Sequence, residues 1–380
     1  MPRFPAVVVM GPPHSGKSVL TYLLSRALLR ARAAHFVLRT APDGEGNWFY
    51  EGAASTTRLL RLSAKGRYTR KLIRRMLHII RHRHLPLLVD IGGRPQGEQW
   101  EVLEACTHGV LLYRQPNDLD FWMPKIRRAR LRLLAVLKSQ RRGQEVLEST
   151  APYLEGSISG LEREQPQPGP VFEALLERMA RLFSFSEEDL EAFHRGTAPQ
   201  GFEMVTEREL ARALGKATSP LWWAPEDLPR LADHLPPKAM ALYGRGPLWL
   251  AAAVAALHVR WPMALFDGHF GWVQAPPVDP AAPMPLGWDV LPLAPRWFLA
   301  MARLRDPFLE YGDVPPPPLP EQAQGVILYG RLPKWLSASL ARHFVQKGIQ
   351  VALWEPRLQA GVGVTPGVLG RRLGLQLTPV

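Results

Sequence analysis

The chain has 380 residues, a formal net charge of +13, 46% hydrophobic residues and one cysteine. The length predicts two or three domains. The hydrophobic share excludes wholesale disorder, and the lone Cys106, in an apolar stretch, excludes a disulfide framework and fits a reducing cytoplasm. The positive excess fits an anionic partner (nucleic acid, nucleotide or membrane surface), or else a solvated Lys/Arg-rich surface.

In chain order, the run VVVM (7–10) leads straight into a glycine-rich turn, which predicts a strand and not a signal peptide. GPPHSGKS (11–18) then matches G-x-x-x-x-G-K-[ST] between a strand and a helix, the context the motif requires. Gly11 and Gly16 let backbone N–H groups approach phosphate oxygens, with His14 and Ser15 inside the loop. Lys17 reaches the terminal phosphates and Ser18 places a hydroxyl on Mg2+. The predicted cofactors are ATP and Mg2+. SVLTYLLSRALLRARA (18–33) has helical periodicity and HFVLR (35–39) is a strand candidate.

APDGEGNW (41–48) holds Asp43 and Glu45. Either one of them orients a water or binds an acceptor hydroxyl, as catalytic candidates, or the stretch is a solvated turn. A basic helix is predicted over about 66–83, within a stretch that has no acid between Glu51 and Asp90; KIRRARLRLL (125–134) adds Lys125, Arg127, Arg128, Arg130 and Arg132. These faces fit RNA, DNA, bound nucleotide or an acidic surface, and equally a solvated basic face. LPLLVD (85–90) ends in Asp90, a candidate second Mg2+ contact or a capping acid, and Gly92-Gly93-Arg94 follows, with Arg94 placed to sense the γ-phosphate or reach a neighbouring subunit. A helix near 98–106 and the strand GVLLYR (109–114) complete an alternating pattern that predicts a parallel α/β domain over 1–196. Helical signals dominate from about 124 to 195.

QPQPGP (165–170) and GTAPQ (196–200) are candidate linkers, and PPPPLP (315–320) is a stiff connector. PLWLAAAVAALHV is too short to span a bilayer and predicts a buried helix, so no membrane partner is expected. ALYGRGPLWL (241–250) and ILYGRLPKWL (327–336) then read almost alike. Tyr243-Gly244-Arg245 aligns with Tyr329-Gly330-Arg331, and beyond each helix ALFDGHF (264–270) aligns with ALWEPRL (352–358). Matched punctuation of this kind predicts duplicated units, over 200–280 and 285–380. In each, a strand delivers the chain to a Gly-Arg turn, proline opens a helix, and the helix N-terminus with its arginine forms a phosphate clamp. The candidate ligand-binding residues are Gly244, Arg245, Gly246, Gly330 and Arg331. Trp249 and Trp335, just inside each helix, either stack on adenine or pack in the core. Two such units should pair about a pseudo-twofold axis, placing Arg245 and Arg331 across one cleft from a ligand that is itself twofold and carries several phosphates, such as a cyclic oligonucleotide.

YGRGPLWL, followed by a helix and the ALFD strand, resembles the signature of the small CRISPR-associated ring nucleases, third in the miscellaneous "x" series; DGEGNW and VDIGGR are similar to motifs of the AAA-type P-loop domain fused to some members. The resemblance covers nearly the whole chain. It implies an α/β fold class: an N-terminal P-loop NTPase parallel sheet with a helical extension, then two CARF-like, ferredoxin-like α+β repeats forming a pseudo-dimer. It also implies cyclic tetra-adenylate, the messenger of type III interference complexes, as the ligand, with Mn2+ a candidate metal at the ring site, a homo-oligomer, and a role in cytoplasmic antiviral signalling. The sequence departs from the family's Asp-Pro-Arg: Asp267-Gly268-His269 keeps the acid, whereas Glu355-Pro356-Arg357 keeps the arginine with a longer acid. His258 and His343 lie off the aligned positions. Either each copy supplies half of a composite site, with Asp267, Glu355 and Arg357 as its catalytic pieces, or cleavage is lost and binding alone remains. A nucleotide or nucleoside kinase with a regulatory repeat, and a non-catalytic messenger sink, are the other functions the residues allow.

Overall fold

The computed structural model describes all residues except 1–3, 41–69, 94, 163–168, 219, 269, 280–285, 295, 305–310, 313, 331 and 375–380, and the side chains of 294 and 304. The expectations for Asp43, Glu45, Arg94 and Arg331 therefore lie outside the described residues, as does His269. Two compact units divide the chain: Met1–Leu190 with Gly268–Phe270, and Glu191–Asp267 with Gly271–Val380.

The first unit runs β1 (Ala6–Met10), α1 (Lys17–Arg30), β2 (Phe36–Arg39), α2 (Arg70–Arg81), β3 (Leu87–Asp90), α3 (Glu101–Ala105), β4 (His108–Tyr113), α4 (Pro116–Arg128), β5 (Arg132–Ser139), β6 (Val146–Ser149), β7 (Leu154–Ile158) and α5 (Pro170–Leu182). Its sheet has the order β2-β3-β1-β4-β5-β7-β6, parallel except for the edge strand β6. The run Ala6–Met10 is apolar throughout because β1 is central and covered on both faces. Leu20, Leu24 and Leu28 recur every four residues on α1 and are fully buried against the sheet, with Leu175 and Met179 of α5 in the same core.

Helical signals dominate the sequence from about 124 to 195, but the strands β5, β6 and β7 interrupt that stretch. α4 ends at Arg128, and Arg132 opens β5, so KIRRARLRLL is a helix end followed by a strand. The apolar run Leu133–Leu137 is short enough for a strand, and it lies between β4 and β7 in the sheet. Burial inside a parallel sheet removes the alternation that would have marked it as a strand. Helices resume with α5 and α6 (Glu187–Arg195), whose acids crowd the first turn and whose His194 and Arg195 close the last, as the helix dipole favours.

The second unit holds two sheets. The first, in the order β11-β10-β9-β8, uses β8 (Glu203–Thr206), β9 (Met240–Tyr243), β10 (Met263–Asp267) and β11 (Gly271–Gln274), with α7 (Glu207–Ala213) after β8 and α8 (Leu248–Leu257) between β9 and β10. The second runs β12 to β17 in sequence: β12 (Leu286–Ala294), β13 (Trp297–Leu304), β14 (Gly325–Tyr329), β15 (Gln350–Glu355), β16 (Ala360–Gly363) and β17 (Arg372–Leu373), with α9 (Lys334–Gln346) between β14 and β15.

Four strands of each sheet correspond in order, direction and register. Thr206 stands opposite Tyr243, and Met301 opposite Tyr329. Leu265 pairs with Leu242, and Leu353 with Leu328. Asp267 faces Gly271 across an antiparallel turn, and Glu355 faces Ala360. The helix caps agree as well: Pro247 and Pro333 have the same dihedrals, φ −61° and ψ 153°. α8 packs on α9. The buried faces are built of small residues, Ala251–Ala253 on one helix and Ser337, Ala338, Ser339 and Ala341 on the other, which lets two axes approach closely. Arg342 of α9 ties the pair, donating to the carbonyls of His258 at 3.0 Å, Val259 at 3.0 Å and Trp261 at 3.1 Å beyond the end of α8.

Candidate functional sites: a phosphate loop and paired glycine turns

In the first unit, β1 ends at Met10 and hands the chain to Gly11, whose φ of 147° suits glycine. A Cβ there would meet the Leu112 carbonyl oxygen at 2.1 Å, so the loop is pressed against β4. Gly16, at φ 81°, caps α1 in the left-handed region. His14 shares that region at φ 59° and is exposed. Lys17 is largely buried and folds back across the loop, its Nζ donating to the Pro12 carbonyl at 2.7 Å. Ser15 is fully buried, and its Oγ has no hydrogen-bond partner among the described residues. A buried hydroxyl without a partner carries a desolvation cost that an added acceptor would relieve.

Asp90 closes β3 in register with Val9 of β1 and Arg39 of β2 and is 6% exposed. Its carbonyl accepts from the Thr40 N–H at 3.0 Å and the Thr40 hydroxyl at 3.2 Å. Two residues past Ile91, a Cβ on Gly93 would stand 2.8 Å from Pro13 Cα, so the Gly92-Gly93 turn abuts the phosphate loop. Glycines cradling backbone N–H groups, a lysine at the head of α1, a half-buried Ser18 beside it and an acid on the neighbouring strand are together the donor set that a triphosphate with Mg2+ requires.

In the second unit, the turn after β9 carries exposed Arg245 between Gly244 and Gly246. Its density of contacts comes from a residue that no sequence motif marks. Glu207, at the head of α7, is 5% exposed and accepts from the Gly246 N–H at 2.9 Å through Oε1 and 2.7 Å through Oε2. Lys334, the first residue of α9, donates from Nζ to the Gly244 carbonyl at 2.8 Å and lies 3.8 Å from Glu207 Oε1. The helix that follows the second glycine turn thus reaches into the first. Burial pushes the Glu207 carboxyl above its ordinary value, against the opposing pull of Lys334, the Gly246 N–H and Arg245. Burial also lowers the Lys334 ammonium, while Glu207 and Asp267 pull it back up. Asp267, the last residue of β10, is therefore close enough to be felt by the same ammonium.

Tyr243, before the first turn, accepts or donates at 2.9 Å with His194 Nδ1, and its ring lies with His194, Phe266 and Trp272 in one aromatic cluster. Burial pushes the Tyr243 hydroxyl up to about 12. At the second copy, Gly330 is exposed with φ 130°. Glu355 closes β15 and accepts from the Arg357 N–H at 3.1 Å, leaving the Arg357 side chain exposed. Trp249 and Trp335 are 3% and 0% exposed, which corrects their candidacy as stacking platforms: each offers no ring face to a base and packs as core.

Residues 305–374 match the family model of the CRISPR-associated protein (Cas_csx3). That segment contains β14, α9, β15, β16 and β17, hence the second Tyr-Gly-Arg copy with Lys334, Glu355 and Arg357; the first copy, at Tyr243, lies outside it. Among solved structures the chain is similar to plasmid partition proteins from Borrelia burgdorferi, one of them bound to AMPPNP. Each shares 14% identity at a TM-score of 0.33 and covers 47% of this chain and 99% of its own. No curated protein matches the chain. Among the described residues, no helix is long and apolar enough to cross a membrane, and no group of His, Cys, Asp and Glu is placed to hold a metal ion.

Proposed function

We propose that the protein is a two-part component of type III CRISPR defence: the paired glycine turns bind cyclic tetra-adenylate, and the phosphate loop binds ATP with Mg2+. The observation that carries this reading is the hydrogen bond from Lys334 to the Gly244 carbonyl at 2.8 Å. It brings the helix of one Tyr-Gly-Arg copy to the turn of the other, as a ligand gripped from two sides requires. The match of the second copy to a CRISPR-associated family supports the same conclusion.

At the loop, the Gly11–Gly16 backbone cradles the phosphates, Lys17 swings from the Pro12 carbonyl to the terminal phosphates, and the Ser15 hydroxyl gains an acceptor. Ser18 and Asp90 would hold the Mg2+, which neutralises charge on the phosphates when bound. At the turns, Arg245 and Arg331 hold phosphates of the ring. Where the bound ring is cut, the step is attack of a ribose 2′-oxygen on the adjacent phosphorus: the 2′-O–P bond forms, the P–5′-O bond breaks, Asp267 accepts the 2′-hydroxyl proton, and the 5′-oxygen leaves with a proton from water. The products are linear, with a cyclic phosphate at one end and a 5′-hydroxyl at the other.

Labelled cyclic tetra-adenylate, incubated with the full chain with and without ATP, tests the proposal. Retained ring, cut or uncut, supports it. A phosphorylated small acceptor with no ring retained would favour the kinase alternative and overturn it.

A further inference from the structure

The two turns are unequal, and three differences between the copies are coordinated. Register makes Glu207 the equivalent of Ala302, since Thr206 faces Tyr243 as Met301 faces Tyr329. The neighbours of the two glycines agree: a Cβ on Gly244 would strike Glu207 Cδ at 2.1 Å, whereas one on Gly330 would meet the Ala302 Cβ at 3.1 Å. Where the first copy has Gly246, also pressed by the Glu207 carboxylate, the second has Leu332. Where the second copy has Lys334, the cation that meets Glu207, the first has Leu248. An acid, the glycine that admits it and the lysine that faces it thus occur together around one turn, and their counterparts around the other are Ala302, Leu332 and Leu248.

We infer that Glu207 is an internal anion seated in the phosphate position of the first turn, so that ligand recognition is one-sided and the principal phosphate contact falls to the second copy. The donors that a phosphate oxygen would use at the first turn, the Gly246 N–H and the Lys334 ammonium, already serve the Glu207 carboxylate. Arg245 also spends part of its field on that carboxylate. A carboxylate and a phosphate compete for the same charge-assisted donors, and two anions cannot share them without repulsion. Glu207 is a specificity-determining residue, and the inference rests on the proposal that the turns hold a phosphorylated ring.

The test is a gain of affinity, which a merely structural acid would not produce. The full chain carrying Glu207→Ala, the residue type at the equivalent position of the second copy, binds cyclic tetra-adenylate roughly tenfold tighter than the unaltered chain, and Glu207→Gln several-fold tighter. Affinity unchanged or weakened in both variants, with far-ultraviolet circular dichroism and cooperative melting intact, overturns the inference; if Glu207→Ala does not fold, Glu207→Gln alone decides it. Sulfate separates this result from failure of the function itself. In a Lys17→Ala background, which silences the phosphate loop, sulfate raises the melting temperature of the Glu207→Ala chain and not that of its Glu207 parent. That outcome supports the seat even if the ring is never bound, and its absence in a chain that fails to bind the ring overturns both.

Discussion

The Lys334 ammonium donates to the Gly244 carbonyl at 2.8 Å, so the first residue of one copy's helix is fastened to the glycine turn of the other. The same ammonium faces Glu207, which holds the Gly246 N–H through both carboxylate oxygens. One lysine therefore joins the head of α9 to the turn after β9 and to the acid beneath it.

Lys334→Met removes that fastening and leaves the Glu207 carboxylate buried without its cation. Stranding one member of a buried pair is strongly destabilising, and because the Lys334 side chain keeps 21% exposure the expected loss is about 2 kcal/mol. Urea unfolding of the full chain measures it; a change below about 0.5 kcal/mol, the scatter of ordinary surface substitutions, would mean that the pair is incidental.

Gly244→Ala drives a Cβ to within 2.1 Å of Glu207 Cδ. The carboxylate cannot yield without losing the Gly246 N–H, so the substitution should cost about 1–3 kcal/mol. Glu207→Ala should suppress most of that cost. Strictly additive effects of the two substitutions in a double-mutant cycle would show that the clash is not between these residues.

A pH dependence follows from Glu207. Its folded-state carboxyl is raised by burial, so its contribution favours folding below the ordinary carboxylate value of 4.5 and is lost as pH rises through the raised value. The unaltered chain should therefore gain stability relative to Glu207→Gln on moving from pH 8 toward pH 5. Parallel unfolding curves of the two chains, compared as a difference, cancel the titrating groups remote from Glu207; Lys334, which loses the upward pull of Glu207 in the variant, shifts the difference in the same direction. A difference that moves the opposite way contradicts the assignment.

Lys17→Ala should abolish ATP binding while leaving affinity for the ring intact, because the lysine belongs to the phosphate loop of the first unit. Equilibrium binding of a fluorescent ATP analogue reads this directly. Unchanged ATP affinity would reject the loop as the nucleotide site.

Much of this was legible in the sequence, where chemistry forces a residue type. Gly11 and Gly16 stand at positive φ, and the loop they frame lies between the strand and the helix that the apolar run and the helical periodicity marked. The likeness of the two Tyr-Gly-Arg phrases was equally visible, and the strands around them share one register. Other features left no local signal. Glu207 is far from the first turn in sequence and reaches it only because β8 lies beside β9. Lys334 was in view as the odd residue of the second phrase, against Leu248 of the first, but a difference within a repeat has no meaning until its partner is located. Trp249 and Trp335 sit where a stacking ring would be sought, yet their apolar bulk is spent in the core. Strand β5 was hidden because its basic first residue continued the charge pattern of α4.

Isothermal titration of the full-length chain with cyclic tetra-adenylate tests the paired-turn claim most directly. One ring bound per chain, with a Kd of roughly 1 µM or tighter, weakened more by Arg331→Ala than by Arg245→Ala and most by both together, is the predicted result. No binding by a folded chain, or binding that survives loss of both arginines, would contradict it.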